Sequence, residues 1–234
     1  MVFVVAEIGV NWDGDFEIAK SMMENARNAG CNAVKFQSFN EDIIKDHPQK
    51  SRLFKSSISK NNIEIINELA KETGIEWFCT PMTVDAIDLL NPFVKRFKIR
   101  EYDGRELVEN KITDLFENLL KTGKQIMIST EKSPTNCKFF KHPQVQWLYC
   151  VPKYPCNIND LDFKNIKEFH GFSNHCCEIA APLTATILGA NIIEIHITSD
   201  KSKDFFDNNV SFEYTELNEM VRLIRCFEKL AMES

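Results

Sequence analysis

Eight short apolar runs recur along the chain, each separated from the next by a longer amphipathic or polar stretch. They are VFVVAEI (2–8), AVKFQS (33–38), IEWFCT (75–80), RFKIR (96–100), QIMIST (125–130), VQWLYC (145–150), HGFS (170–173) and IIEIHIT (192–198). Runs this short, β-rich and continuous rather than alternating are the pattern of strands buried on both faces, as in a parallel sheet. Helical periodicity fills the gaps. FEIAKSMMENARNAG follows the first run, with Asp15 as N-cap and Gly30 as stop. Further helices are predicted near 61–73, 83–91, 106–121, 162–168, 178–189 and 213–232. Pro134 and Pro143 bracket a weaker stretch, where a short or irregular helix is expected. Residues 39–60 form a long polar excursion, read as a loop over one face.

Eight strands alternating with about eight helices predict an α/β chain folded as a (β/α)8 TIM barrel. A doubly wound open sheet is the alternative. The segment after the first strand is EIGVNWDGD, which lacks the G-x-G-x-x-G phosphate loop, and this favours the barrel. The elements use up the whole chain, so a single domain over 1–234 with no second domain is expected.

Composition narrows the function classes. The 234 residues are 44% hydrophobic and 26% charged, which is globular rather than disordered. A net charge of −6 argues against a nucleic-acid binder. The N-terminus has no basic flank, and no run reaches the length of a membrane span, so a cytoplasmic protein is expected. Eight cysteines without a C-x-x-C pair read as free thiols in a reducing compartment.

In a barrel the C-terminal strand ends carry the chemistry. Here they hold Glu7 and Asn11, Lys35 and Gln37, Thr80, Lys98, Glu101 and Asp103, and Ser129, Thr130 and Glu131. The remaining ends add Lys153, Tyr154, Ser173, His175, Glu194 and His196. Lys35, Lys98 and Glu194 alternate with large apolar residues, so in a barrel they point inward. Several buried charges converging at one end fit an anionic ligand, whereas one pair would be structural. Glu7 can be read as an ion-pair partner of Lys35. His175 and His196, on consecutive strand ends, are candidate ligands for a divalent ion or hydrogen-bonded core imidazoles.

At these residues the chain resembles the N-acetylneuraminate (sialic acid) synthase family. The resemblance rests on AEIGVNWDGDFEIAK, AGCNAVKFQSF, FCTPM, GFSNH and LGANIIEIHIT, in the family's order over nearly the whole chain. It implies a barrel enzyme that condenses phosphoenolpyruvate with an N-acetylated amino sugar, N-acetylmannosamine or a related bacterial sugar. Carried over by position, Lys35, Thr80, Lys98, Ser129 and Ser173 would hold phosphoenolpyruvate. His175 and His196 would hold Mn2+ or Mg2+. Glu7, Glu194 and Asp103 would be catalytic, and Tyr154 and Asp207 would face the sugar.

Departures from the family pattern are specific. K-I-x-S-G-E reads KIREYD, so Glu101 replaces a phosphate-binding serine, and Arg100 is the expected compensation. The C-x-x-x-Y-P segment reads CVPKYP, where Pro152 removes an amide and Lys153 is the expected replacement charge. Asn174 stands for an aspartate, and Glu131 for a glycine. Many family members carry a C-terminal antifreeze-like domain that contacts the sugar across a dimer. Its absence from this sequence implies that those sugar contacts are missing, supplied by a separate chain, or different, and a homodimer or a separate partner domain is the expected partner. The rival expectations are another barrel aldolase or lyase, which needs a Schiff-base lysine, and a catalytically degenerate sugar-binding barrel.

Overall fold

The computed structural model describes residues 1–232. Glu233 and Ser234, which the sequence reading included in the barrel domain, lie outside the described residues. The strands are β1 (Phe3–Gly9), β2 (Ala33–Ser38), β3 (Glu76–Pro81), β4 (Arg96–Ile99), β5 (Gln125–Thr130), β6 (Val145–Tyr149), β7 (Gly171–Asn174) and β8 (Ile192–His196). They close into one barrel in sequence order, every pairing parallel, β8 returning to β1. The (β/α)8 TIM barrel expected from the run pattern is therefore the fold.

The helices are α1 (Phe16–Ala29), α2 (Lys50–Lys55), α3 (Ile63–Thr73), α4 (Val84–Leu90), α5 (Glu101–Val108), α6 (Asp114–Lys121), α7 (Ala180–Ile187) and α8 (Tyr214–Met232). Local signals act as expected in α1: Asp15 accepts hydrogen bonds from the Glu17 and Ile18 amides, and Gly30 closes the helix at φ 89°. Aromatic and β-branched residues on the outward strand faces meet the helices. Trp12, Phe36 and Trp77 stack edge-on between α1, α3 and the barrel wall.

Three helix expectations need correction. The single helix over 106–121 is two, α5 and α6, because the chain turns at Asn110 with φ 60°. α5 also begins early, at Glu101, directly from β4. The helix expected over 162–168 is only a 3-10 turn, Ile166–Glu168, and the segment between β5 and β6 holds turns alone. Pro134 and Pro143 interrupt the segment between β5 and β6, and the turn at Ile166–Glu168 ends where Phe169 is extended at ψ 155°. The 39–60 excursion does lie over the barrel mouth as a strap containing α2.

Candidate active site

The strap and strand ends enclose a cavity of about 590 Å³ at the C-terminal mouth, a size that takes a small ligand. Of the twelve predicted site residues, eleven line it: Glu7, Lys35, Thr80, Lys98, Ser129, Tyr154, Ser173, His175, Glu194, His196 and Asp207. The lumen explains their convergence. Parallel register puts Glu7 beside Lys35 and His196, and Ser173 beside Glu194. Lys98 reaches across from β4 to meet β8.

The floor is a charge network. Glu194 lies 2.6 Å from Lys98 and 3.8 Å from Lys35, and Glu7 lies 2.8 Å from Lys35. Ser173 donates to Glu194 at 2.8 Å, and Lys35 donates to Thr80 at 3.1 Å. All four ionisable residues are at most 4% exposed. Burial would raise the Glu194 carboxyl, but Lys35 and Lys98 overcome it and hold the group down at about 2. Burial likewise opposes the charge on Lys35, yet Glu194 and Glu7 together raise its pKa. Lys98 is the weaker partner: burial, with Lys35 adding to it, outweighs Glu194 and lowers its pKa. Glu7 Oε2, Glu194 Oε2 and Ser129 Oγ are buried and have no hydrogen-bond partner among the described residues. A floor with two ammonium groups and unpaired polar atoms is built to receive an anion.

Beside the floor stand the two histidines, ring centroids 5.5 Å apart. His175 Nδ1 donates to the Val151 carbonyl at 3.0 Å, leaving Nε2 as the lone-pair nitrogen. Burial, reinforced by His196, pushes its pKa down to about 3, so it is a neutral donor at neutral pH. His196 Nδ1 lies 3.4 Å from Asp207 Oδ2, and its Nε2 lies 3.1 Å from the Tyr154 hydroxyl. Tyr154 is half exposed as a residue, but its hydroxyl end is enclosed, and burial pushes its pKa well up. The Tyr154 ring leans on His175 at 4.0 Å between centroids. Two imidazoles, one oriented by a backbone carbonyl and one 3.4 Å from a carboxylate, would suit a shared divalent ion. No cluster of three or more His, Cys, Asp or Glu ligands exists among the described residues, so any further ligands to such an ion would be oxygens of substrate or water.

Asp207 is itself placed by Asn11, whose Oδ1 accepts the Asp207 amide at 2.9 Å while its Nδ2 donates to the Ile197 carbonyl and to Ser211. Gln37 donates to Glu7 at 2.9 Å. The heads of Glu7, Gln37 and Asp207 all crowd Gly9. A methyl built there would lie 3.1–3.3 Å from each of them, and φ is 54°. Glycine at this position keeps the sector open.

Asp103 is the predicted residue that the structure does not bring to the cavity. Because α5 starts at Glu101, Asp103 turns back on Arg100 at 2.6 Å and does not line the site. The compensation expected for Glu101 is also different: Arg105, one helical turn on, pairs with it, while Arg100 serves Asp103. The i, i+4 spacing of Glu101 and Arg105 was the available signal once a helix was placed there. Lys153 pairs with Asp160 in solvent and supplies no charge to the cavity. Sequence reasoning missed Arg105, Tyr102, Phe206 and the strap residues Ile43, Ile44, His47 and Leu53, all of which line the mouth. All eight cysteines are free; Cys176 is buried, and its neighbour Cys177 is exposed.

A closed parallel barrel whose C-terminal mouth gathers buried lysines, carboxylates and an imidazole pair is a TIM-barrel enzyme acting on a small anionic substrate. Residues 22–234 match the model of the NeuB family, and the chain belongs to that family. An uncharacterised protein of Methanocaldococcus jannaschii is 32% identical over 97% of this chain and 71% of its own length. The N,N'-diacetyllegionaminic acid synthase of Campylobacter jejuni is 29% identical over 97% of this chain and 76% of its own. Among solved structures, the N-acetylneuraminic acid (sialic acid) synthetase of Leptospira borgpetersenii, in complex with citrate, superposes with a TM-score of 0.85 at 27% identity. That superposition covers 98% of this chain and 85% of the other. The protein is thus an enzyme of the synthase class. No helix among the described residues is long and apolar enough to cross a membrane.

Proposed function

We propose that the protein condenses phosphoenolpyruvate with an N-acetylated amino sugar, N-acetylmannosamine or a relative, to give a nonulosonic acid and phosphate. The observation that carries this is the Lys35–Glu194–Lys98 network beneath Thr80, Ser129 and Ser173, directly beside the His175–His196 pair. Phosphoenolpyruvate offers a carboxylate and a phosphate, and the two ammonium groups with three hydroxyls are the matching donors. Its C3 attacks the aldehyde carbon of the open-chain sugar, forming the new C–C bond. Water adds at C2, and Glu7, buried with one unpaired oxygen, takes its proton. Collapse of the tetrahedral carbon breaks the C2–O bond, releasing phosphate and leaving a 2-keto acid. His175 and His196 would hold Mn2+ or Mg2+, which would supply Lewis-acid polarisation of the aldehyde oxygen when bound. Tyr154 and Asp207, both touching His196, stand on the sugar side. Arg105 relieves the repulsion that a bare Glu101 would exert on the phosphate.

Calorimetric titration of phosphoenolpyruvate with and without Mn2+, followed by phosphate release on adding N-acetylmannosamine or its relatives, tests the reading. Saturable binding abolished in Lys98→Met and phosphate formed in step with sugar consumed are expected. Absence of phosphoenolpyruvate binding in either condition overturns it in favour of a degenerate barrel. The lowered pKa of Lys98 favours one rival, a Schiff-base aldolase. Borohydride treatment with a 2-keto acid leaves no adduct on Lys98 if the synthase reading holds, and a trapped adduct establishes the rival.

A further inference from the structure

We infer that Tyr154 gates the imidazole pair: its hydroxyl caps the ring nitrogen of His196 that would face a divalent ion, and it must swing aside before both histidines share one. This rests on the metal-holding role proposed above for His175 and His196, and it concerns how that pair is opened.

The two rings are not equally free. The hydrogen-bond contacts of the His175 side chain, to the Val151 carbonyl at 3.0 Å and to the Cys150 sulfur at 3.8 Å, are both made by Nδ1. Its lone pair is left at Nε2. On His196, Nδ1 faces Asp207 Oδ2 at 3.4 Å and carries the ring proton toward that carboxylate. The lone pair of this ring is therefore also at Nε2, and the Tyr154 hydroxyl stands there at 3.1 Å and donates to it. A lone pair that accepts an O–H cannot also ligate a cation. While the hydroxyl stays, one imidazole of the pair is open and the other is closed. The Tyr154 ring packs on the same two groups, with centroids 4.0 Å from His175 and 5.6 Å from His196.

The segment that carries Tyr154 has the anchors of a flap. Residues 152–155 are exposed, whereas Val151 and Cys156 on either side are 2% and 3% exposed. Both flanks are fastened to His175 itself: the Val151 carbonyl accepts from its ring, and the Cys156 amide donates to its carbonyl at 2.9 Å. The flap can therefore move while His175 stays in place. Pro152 and Pro155 have no amide with which to tie it. Lys153 makes one backbone bond back to the Val151 carbonyl at 2.9 Å, and its side chain pairs with Asp160 in solvent, a weak tie. The ion thus binds only the fraction of molecules in which His196 is uncapped, and its affinity is reduced by that fraction.

The test is Mn2+ binding to the full chain, without phosphoenolpyruvate or sugar, with free Mn2+ read by paramagnetic resonance. Tyr154→Phe keeps the ring on His175 and removes the cap, so it is expected to bind Mn2+ about fivefold more tightly than the wild type. His196→Ala in the Tyr154→Phe background should lose at least tenfold. The wild type gives a second reading: Mn2+ should shift the near-ultraviolet tyrosine absorption as the hydroxyl leaves its acceptor, and Tyr154→Phe should lack that shift. A change under twofold in Tyr154→Phe, weaker binding there, no Mn2+ binding by either protein, binding that survives His196→Ala, or an unmoved tyrosine band overturns the inference. Phosphate release with phosphoenolpyruvate and sugar is followed separately. Tighter Mn2+ binding in Tyr154→Phe with no phosphate release from the wild type would sink the condensation and leave the gate standing.

Discussion

The barrel carries ionic side chains at both of its ends, and the two ends treat them differently. At the N-terminal end, Arg96 and Glu76 pair at 2.7 Å, Arg96 also bonds Gln125, and its guanidinium lies 4.4 Å from the centroid of Phe3. That pair is partly solvated. At the C-terminal end, Lys35, Lys98, Glu7 and Glu194 are nearly free of solvent and leave one oxygen of each glutamate unpartnered. Arg96 and Lys98 are two residues apart on one strand, so local sequence preference does not separate them. Burial does. A solvated pair adds little to stability and invites no ligand, whereas a buried network is expensive to desolvate and gains its compensation when a ligand arrives. The contrast marks the C-terminal network as the candidate ligand floor without reference to any relative.

The sharpest way to break this comparison is to remove Glu194. Glu194→Ala leaves two buried ammonium groups facing only Glu7, and the unfolding free energy should fall by about 3–5 kcal/mol in urea denaturation. A loss below about 1 kcal/mol would mean that water already screens the network. Acid should act on the same carboxylate. Its folded pKa of about 2 lies below the unfolded value of about 4.5, so the unfolded chain binds the proton first. Its contribution is complete above pH 4.5 and is lost as pH falls toward 2, amounting to about 3 kcal/mol across that window. Urea midpoints measured from pH 6 down to 2.5 should decline in the wild type, and that decline should be shallower in Glu194→Gln. Lys35→Met sharpens the functional side: phosphoenolpyruvate affinity should drop about a hundredfold by calorimetry.

How well the sequence foretold these features follows from how local each one is. The strands and their inward charges could be read because a buried lysine between apolar neighbours, as in AVKFQ, has few structural explanations. The imidazole pair could be read because His175 and His196 end consecutive strands. Asp103 misled because its direction depends on where α5 starts, and KIREYD has no capping residue to mark that start; Arg100 at the cap position makes no side-chain cap bond. The strap was visible as a polar insertion, but its apolar inner face was not. Ile43, Ile44 and Leu53 are spaced by no helical or strand period, and the strap that carries them is tied down by long-range bonds, Arg52 to Asp13 and Asp204 and Trp12 to the Ser56 carbonyl. Contacts across 152 residues leave no periodic trace.

The smallest effect belongs to the other end of the barrel. Arg96→Ala removes a partly exposed pair and a ring contact, worth roughly 1–2 kcal/mol together. Glu76, with water at hand, can be resolvated once the arginine is gone, so no buried charge is stranded. Phosphoenolpyruvate affinity should stay within about twofold of the wild type, because screening by water and barrel side chains weakens any field that reaches Lys98. Calorimetry on Arg96→Ala beside Lys35→Met makes the comparison direct. If Arg96→Ala weakened the ligand tenfold or more, the two ends would be electrostatically coupled through the lumen. The C-terminal network would then have to be read as one half of a charge system running the length of the barrel.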